Sequence, residues 1–250
     1  MEIKTGDIYQ LGDHKLICGN SRDESIVKEL IGKEKIRMVC TDPPYNVSYV
    51  ENKDWVGMRG GKQMEHKKIE NDTMSGDEYV EFTRAWAEPM VPFMDSYNSA
   101  YIFNSDLMIC EAKQGLKQTG FYYSQMIIWV KNQVVLGRKD YNPQHELIIY
   151  GWYGRHKFER GKARSIVFCP RPSKAKLHPT MKPVSLLRKL ILNSTKINDI
   201  VYDPFGGSGS TLIACEHVKR KCLMIEIDPA YCETIIARWE KLTGQKAQMI

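Results

Sequence analysis

The sequence predicts an α/β fold, a mostly parallel sheet covered by helices on both faces. Three observations predict it. Short apolar runs alternate with amphipathic segments along the 250 residues. One run, Ile36-Arg37-Met38-Val39-Cys40-Thr41, stops at Asp42-Pro43-Pro44, where paired prolines can neither extend a ladder nor enter a helix interior. Another ends at Tyr202-Asp203 and passes through Gly206-Gly207-Ser208-Gly209 into a helical stretch. Ligands of such sheets bind outside the carboxyl ends of the strands. Asp42 and Asp203 both stand there.

The elements follow in order. A strand near Ile8-Tyr9 turns at Gly12-Asp13 into a second strand, His14–Cys18, forming a hairpin. Asp23 caps a helix to about Ile31, and the strand ending at Thr41 follows. Residues 46–74 are polar, carry Gly57, Gly60 and Gly61, and show no period. They read as a long loop of the kind that serves function. Ser75 caps a helix to about Met94; a strand at 99–103, a helix at 106–118 and strands at 121–130 and 146–150 come next. Pro183 opens a helix to about Ser194. The strand at 199–202, the glycine turn, a helix at 210–218, a strand at 221–227 and a helix at 229–242 complete the chain.

Composition bounds the function. With 42% hydrophobic and 26% charged residues, 250 residues suit one large α/β domain, residues 1–250. No apolar run approaches the roughly 20 residues that cross a bilayer, and residues 1–7 lack a signal peptide's apolar core, so no membrane contact and a cytoplasmic location are expected. Seven scattered cysteines form no CxxC pair and read as reduced core residues, not as disulfides or a metal site. The net charge is +6, and residues 152–176 alone carry +7: Arg155, Lys157, Arg160, Lys162, Arg164, Arg171, Lys174 and Lys176 against Glu159. A solvated loop and a phosphate-contacting surface both fit that pattern.

The turn at 203–209 carries its own chemistry. Glycines let backbone approach a ligand closely. Glu226, twenty residues beyond Gly206, is positioned to bind ribose hydroxyls. There is no P-loop lysine, and Leu212 stands where a dinucleotide fingerprint needs its third glycine. Asp203 would repel phosphate and suit a cation, such as the sulfonium and ammonium of S-adenosylmethionine.

Asp42-Pro43-Pro44-Tyr45 resembles the catalytic motif of the DNA amino-methyltransferases. Asp203-Pro204-Phe205-Gly206-Gly207-Ser208-Gly209 is similar to their cofactor motif, His178-Pro179-Thr180-Met181-Lys182-Pro183 to the segment before it, and Gln144-His145-Glu146 to a further stretch. The catalytic motif precedes the cofactor motif, as in the permuted β class, and the resemblance spans about residues 7–245. It implies a circularly permuted, Rossmann-like methyltransferase sheet of seven strands, mostly parallel with one antiparallel strand, the hairpin supplying the strand beside that of Glu226. It places target recognition in residues 152–176, with the 46–74 loop, including Trp55 and Arg59, sharing the DNA surface.

The resemblance also assigns roles. The Asp42 carboxylate and the Pro43 carbonyl, its direction fixed by Pro44, would accept from a target amino group whose lone pair is delocalised into the base, and Tyr45 would stack on the flipped base. Asp203, Phe205, Gly206, Gly207, Ser208 and Gly209 would form the wall for S-adenosylmethionine, with Glu226 on the ribose. His178, Thr180 and Lys182 would face its methionine end. No metal is required. Asp at the first motif position favours adenine N6 in duplex DNA. Cytosine N4, RNA or protein-amide substrates, and a non-catalytic binding module are the alternatives. A homodimer is common in the β class, and nothing in the sequence bears on a companion restriction endonuclease.

Overall fold

Ten strands and six α-helices occur among the residues described by the computed structural model, which are 2–46, 74–134, 140–171 and 181–250. In chain order they are β1 (Ile8–Leu11), β2 (His14–Cys18), α1 (Glu24–Ile31), β3 (Ile36–Thr41), α2 (Gly76–Ala87), β4 (Met94–Asn104) and α3 (Ile109–Gln118). Then come β5 (Phe121–Val130), β6 (His145–Tyr153), β7 (Ile166–Phe168), α4 (Val184–Ser194), β8 (Ile200–Asp203), α5 (Ser210–Val218), β9 (Lys221–Glu226), α6 (Pro229–Thr243) and β10 (Gln248–Met249).

Local chemistry sets the boundaries. Asp23 accepts from the Ser25 amide and starts α1. Ser75 and Glu78 form a reciprocal capping box at the start of α2. That helix stops at Ala87 rather than near Met94, because Pro89 and Pro92 break the α ladder and leave a 3₁₀ turn, Glu88–Phe93.

All strands join one sheet in the order β10-β1-β2-β9-β8-β3-β4-β6-β5-β7. The expected seven-stranded sheet with one antiparallel strand is therefore wrong. There are ten strands, and two of them, β1 and β6, run against the others. The first is reversed because a two-residue hairpin loop can only join antiparallel strands. The additional β7 and β10 are edge strands of three and two residues, too short to show a hydrophobic period. The hairpin does bring β2 beside β9, with Cys18 opposite Glu226.

Central β3 is buried along its whole length, as a strand covered on both faces must be. Its side chains divide between two cores. Met38 and Cys40 face the one built by α4, α5 and α6, while Val39 faces the one built by α1, α2 and α3. Six of the seven cysteines are buried and all are free; Cys110, expected in the core, is exposed.

Strand β6 crosses between β4 and β5, and Gly151 lets it do so. A Cβ there would lie 2.0 Å from the Tyr122 carbonyl oxygen, beside the register shift between Tyr123 and Gln125. Backbone cannot yield as a flexible side chain does. Gly151→Ala is expected to cost roughly 2 kcal/mol or more and lower the melting temperature by about 4–8 °C. Calorimetry showing a change under about 1 °C would contradict that close approach.

Candidate active site

Strands β3 and β8 are parallel neighbours, with Met38 opposite Val201 and Val39 opposite Tyr202. Parallel pairing puts their carboxyl ends on one edge, so Asp42 and Asp203 arrive together although 161 residues separate them. Thr41 joins the two ends: its Oγ1 donates to Asp203 Oδ1 at 2.7 Å. The Phe205 amide donates to the same oxygen at 3.1 Å. Burial pushes the Asp203 carboxyl up to about 7, against the pull of bonds from Thr211, Thr41 and Phe205.

The glycine turn is held by backbone. The Gly206 amide donates to Ile225 O and the Gly209 amide to Gly206 O, both at 2.8 Å. Gly207 and Gly209 take positive φ of 51° and 78°, the left-handed region that glycine enters without strain. The Phe205 ring is buttressed by Phe82 and, edge-on, by Trp86 at 5.6 Å between centroids. Ser208 is buried, and its hydroxyl and carbonyl receive Arg238. Glu226 ends β9, where its carboxylate accepts from the Gly207 amide at 2.6 Å and the Asp228 amide at 2.9 Å. Burial pushes it up to about 7. Each of its oxygens retains a further lone pair. Two carboxylates and a turn without lysine suit a cationic sulfonium, an ammonium and ribose hydroxyls, so the donor set fits S-adenosylmethionine.

The Asp42–Tyr45 segment is embedded in charge. The Tyr45 hydroxyl donates to Asp42 Oδ1, and Glu146 Oε2 lies 3.2 Å from it. Lys182 Nζ is 2.5 Å from Asp42 Oδ2 and 3.3 Å from Glu146 Oε2. Lys131 Nζ is 2.8 Å from Glu146 Oε1. Charges thus alternate from Asp42 through Lys182 and Glu146 to Lys131, and both lysines are buried. Burial and the Glu146 charge raise the Asp42 carboxyl despite Lys182. Burial would raise Glu146 too, but Lys182 and Lys131 outweigh it and hold that carboxyl down to about 2. The Pro44 carbonyl accepts from Tyr79 Oη at 2.8 Å. No described residue donates to the Pro43 carbonyl.

Of the residues expected from the sequence to form the site, Asp42, Pro43, Pro44, Tyr45, the turn at 203–209 and Glu226 are brought to one edge by the fold. Lys182, expected at the methionine end of a cofactor, here pairs with Asp42 and Glu146. No role was expected for Glu146 or Lys131. The signal existed, because Lys131 immediately follows a strand parallel to β4 and Glu146 opens the next one at the same edge. His178, Thr180, Lys174, Lys176 and residues 47–73 of the long loop lie outside the described residues.

The basic segment does not sit together. Buried Arg37 donates to the Tyr97 and Lys157 carbonyls and pairs with Glu159 at 3.0 Å, and the Asn98 amide donates to Arg155 O. This fixes Arg155, Lys157 and Arg160 at the amino end of β4, about 20 Å along the strand from its catalytic end. Lys162 and Arg164 line a cavity of about 260 Å³ with Tyr150, Trp152 and Lys189. Only after β7 does the chain return to the catalytic edge, where the Arg171 amide donates to Asn132 Oδ1 at 2.9 Å.

Residues 36–237 match the family described as DNA methylase, of the N6/N4 methyltransferase type. The chain is 28% identical over 250 residues to the type II methyltransferase M.HpaI of Haemophilus parainfluenzae, covering 88% of this chain and 72% of that one. It is 27% identical over 227 residues to M2.DpnII of Streptococcus pneumoniae, covering 83% of each. Among solved structures, M1.HpyAVI complexed with SAM aligns with a TM-score of 0.64 at 26% identity, covering 89% of this chain and 98% of that one. The cytosine-N4-specific PvuII DNA methyltransferase aligns with a TM-score of 0.70 over 92% and 90%, but at 18% identity this likeness speaks for the fold alone.

The Thr41–Asp203 bond has a measurable consequence. Asp203 at about 7 lies above an unfolded aspartate near 3.9. Folding therefore favours its protonated form, and the stability it contributes is lost as pH rises through about 7. Thr41→Val withdraws a donor from the charged form and should deepen that loss. Urea unfolding should show the variant about 1–3 kcal/mol less stable than wild type near pH 8.5, and less affected near pH 5.5. An equal deficit at both values would contradict the assigned bond.

Proposed function

The chain belongs to the N6/N4 DNA methylase family and is an S-adenosylmethionine-dependent DNA methyltransferase, and from that premise we propose that it methylates the exocyclic N6 of adenine at a specific site in duplex DNA. The observation that carries this reading is Asp42-Pro43-Pro44-Tyr45 at the strand edge shared with Asp203 and Glu226.

When bound, S-adenosylmethionine supplies the methyl group on its sulfonium; the chain supplies the rest. An exocyclic amino group is a poor nucleophile because its lone pair is conjugated with the ring. Asp42 and the Pro43 carbonyl accept its two hydrogens, localise the lone pair and aim it. As positive charge develops on nitrogen, these preorganised acceptors stabilise it. Asp42 also stands where the departing proton must go, and its raised carboxyl makes it a better base than a solvated aspartate. Tyr45 leaves Asp42 to stack on the flipped base, worth roughly 1–3 kcal/mol. Asp203 and Glu226 hold the cationic and ribose parts of the cofactor. Aspartate at the first motif position supports adenine over cytosine; the alternative product is N4-methylcytosine.

For the DNA surface we favour the catalytic edge. Arg171 stands at that edge and is the phosphate contact we favour there, with Lys174 and Lys176 following it in sequence. Arg155, Lys157 and Arg160 are too distant to share that footprint.

Asp42→Ala should lower methyl transfer by at least about a thousandfold while the dissociation constant for S-adenosylmethionine, read by calorimetry, changes little. Loss of both together would remove Asp42 from its role. Nucleosides from DNA treated with the wild-type enzyme should contain N6-methyladenine; N4-methylcytosine alone would transfer the assignment to cytosine. In salt titrations, Lys174→Ala combined with Lys176→Ala should reduce the slope of log K against log salt by about two. Replacing Arg155, Lys157 and Arg160 by alanine should leave that slope unchanged, and the reverse pattern would relocate the DNA.

A further inference from the structure

The catalytic carboxylate is already in use. Asp42 Oδ2 holds the Lys182 ammonium and Oδ1 the Tyr45 hydroxyl. An arriving amino group needs an oxygen of Asp42 that faces it, so at least one of these donors must yield. A buried ammonium or hydroxyl does not leave its acceptor without another, because a lost bond to a charged group costs about 1.5–3 kcal/mol.

Glu146 is that second acceptor for both. Its Oε2 lies 3.2 Å from the Tyr45 hydroxyl and 3.3 Å from Lys182 Nζ. One carboxylate oxygen therefore stands within reach of both groups that occupy Asp42. Its other oxygen is pinned by Lys131 at 2.8 Å, which keeps the carboxylate ionised and fixed in direction. Phe103 and Tyr45 flank Lys182, with ring centroids 5.3 and 5.1 Å from Nζ. They leave the ammonium a short path between the two carboxylates.

Resting on the amino-methyltransferase reading, we propose that Glu146 is a positioning residue for Asp42, receiving the Tyr45 hydroxyl and a larger share of the Lys182 ammonium when the target amino group takes the Asp42 oxygens. Lys131 anchors Glu146 for this exchange. Without the Glu146 charge, Lys182 is neutralised by Asp42 alone, and the acceptor facing the base is weakened before the base arrives.

The exchange predicts a pH signature. The groups facing Asp42 are Tyr45 on its own loop, Cys40 on β3, Asp203 at the end of β8, Glu146 on β6 and Lys182 ahead of α4, with Lys131 behind Glu146. Glu146 raises the Asp42 carboxyl and Lys182 lowers it. Removing the negative charge of Glu146 must therefore lower the Asp42 pKa. Activity that needs ionised Asp42 is lost as pH falls through that pKa, so the acidic limb moves to lower pH.

The test compares wild type, Glu146→Gln and the charge-balanced double variant Lys131→Met with Glu146→Gln, which avoids stranding a buried lysine. Steady-state methylation of unmethylated duplex DNA is measured across pH, and the Asp42 carboxyl is followed by ¹³C NMR, assigned with Asp42→Asn. Expected in both variants are a kcat lower by about tenfold or more, an acidic limb of kcat/KM at lower pH, a matching downward shift of the Asp42 resonance, and KM values for cofactor and DNA within about twofold. An unmoved limb and resonance in a folded variant overturns the proposal, as does a raised KM for DNA at unchanged kcat. Wild-type transfer to DNA tests the underlying reading separately, and the carboxyl titration is read whether or not transfer occurs.

Discussion

The parallel ladder between β3 and β8 is the constraint on which the rest depends. It joins β3 to a strand about 160 residues later and brings a partly buried aspartate, Asp42, to the same edge as the buried Asp203. Thr41 closes the junction with a bond to Asp203. Had these strands not become neighbours, the Asp42 and Asp203 carboxylates would be unrelated in space. Parallel pairing across so long a separation is entropically costly. Burial of β3 on both faces by six helices offsets that cost.

Electrostatics at this edge follows two regimes. At Asp203 and Glu226 the neighbours are backbone amides and hydroxyls, burial dominates, and both carboxyls rise to about 7. Beside Asp42, by contrast, Glu146 lies between two ammonium groups and is held down to about 2. The Asp203–Glu226 side thus carries carboxylates whose charge is costly until a cation arrives, while the Asp42 side carries a self-neutralised chain of ion pairs. Environments that push like groups apart in pKa mark acid–base sites generally.

Legibility in the sequence was uneven for physical reasons. Asp42-Pro43-Pro44-Tyr45 and the turn at 203–209 were legible because proline and glycine restrict backbone locally, and local restriction is written in consecutive residues. The hairpin and the caps at Asp23 and Ser75 were legible for the same reason. The short strands β7 and β10 were not, since two or three residues joined through backbone leave no side-chain period. Glu146, Lys131 and the pairing of Lys182 with Asp42 and Glu146 were hidden because each depends on which strand ends meet.

The basic stretch after Trp152 shows the division most clearly. Its charge is a property of composition, and the sequence alone established it. Where that charge goes depends on Arg37, a residue more than a hundred positions earlier, whose guanidinium ties Lys157 and Glu159 to the far end of the sheet. By itself the sequence determined the class of enzyme, since the motifs that mark it are runs of adjacent residues with locally fixed geometry. Tertiary structure alone decided which charges surround Asp42 and which cations share its edge, because electrostatic interaction falls with distance in space, and that distance is set by strand order.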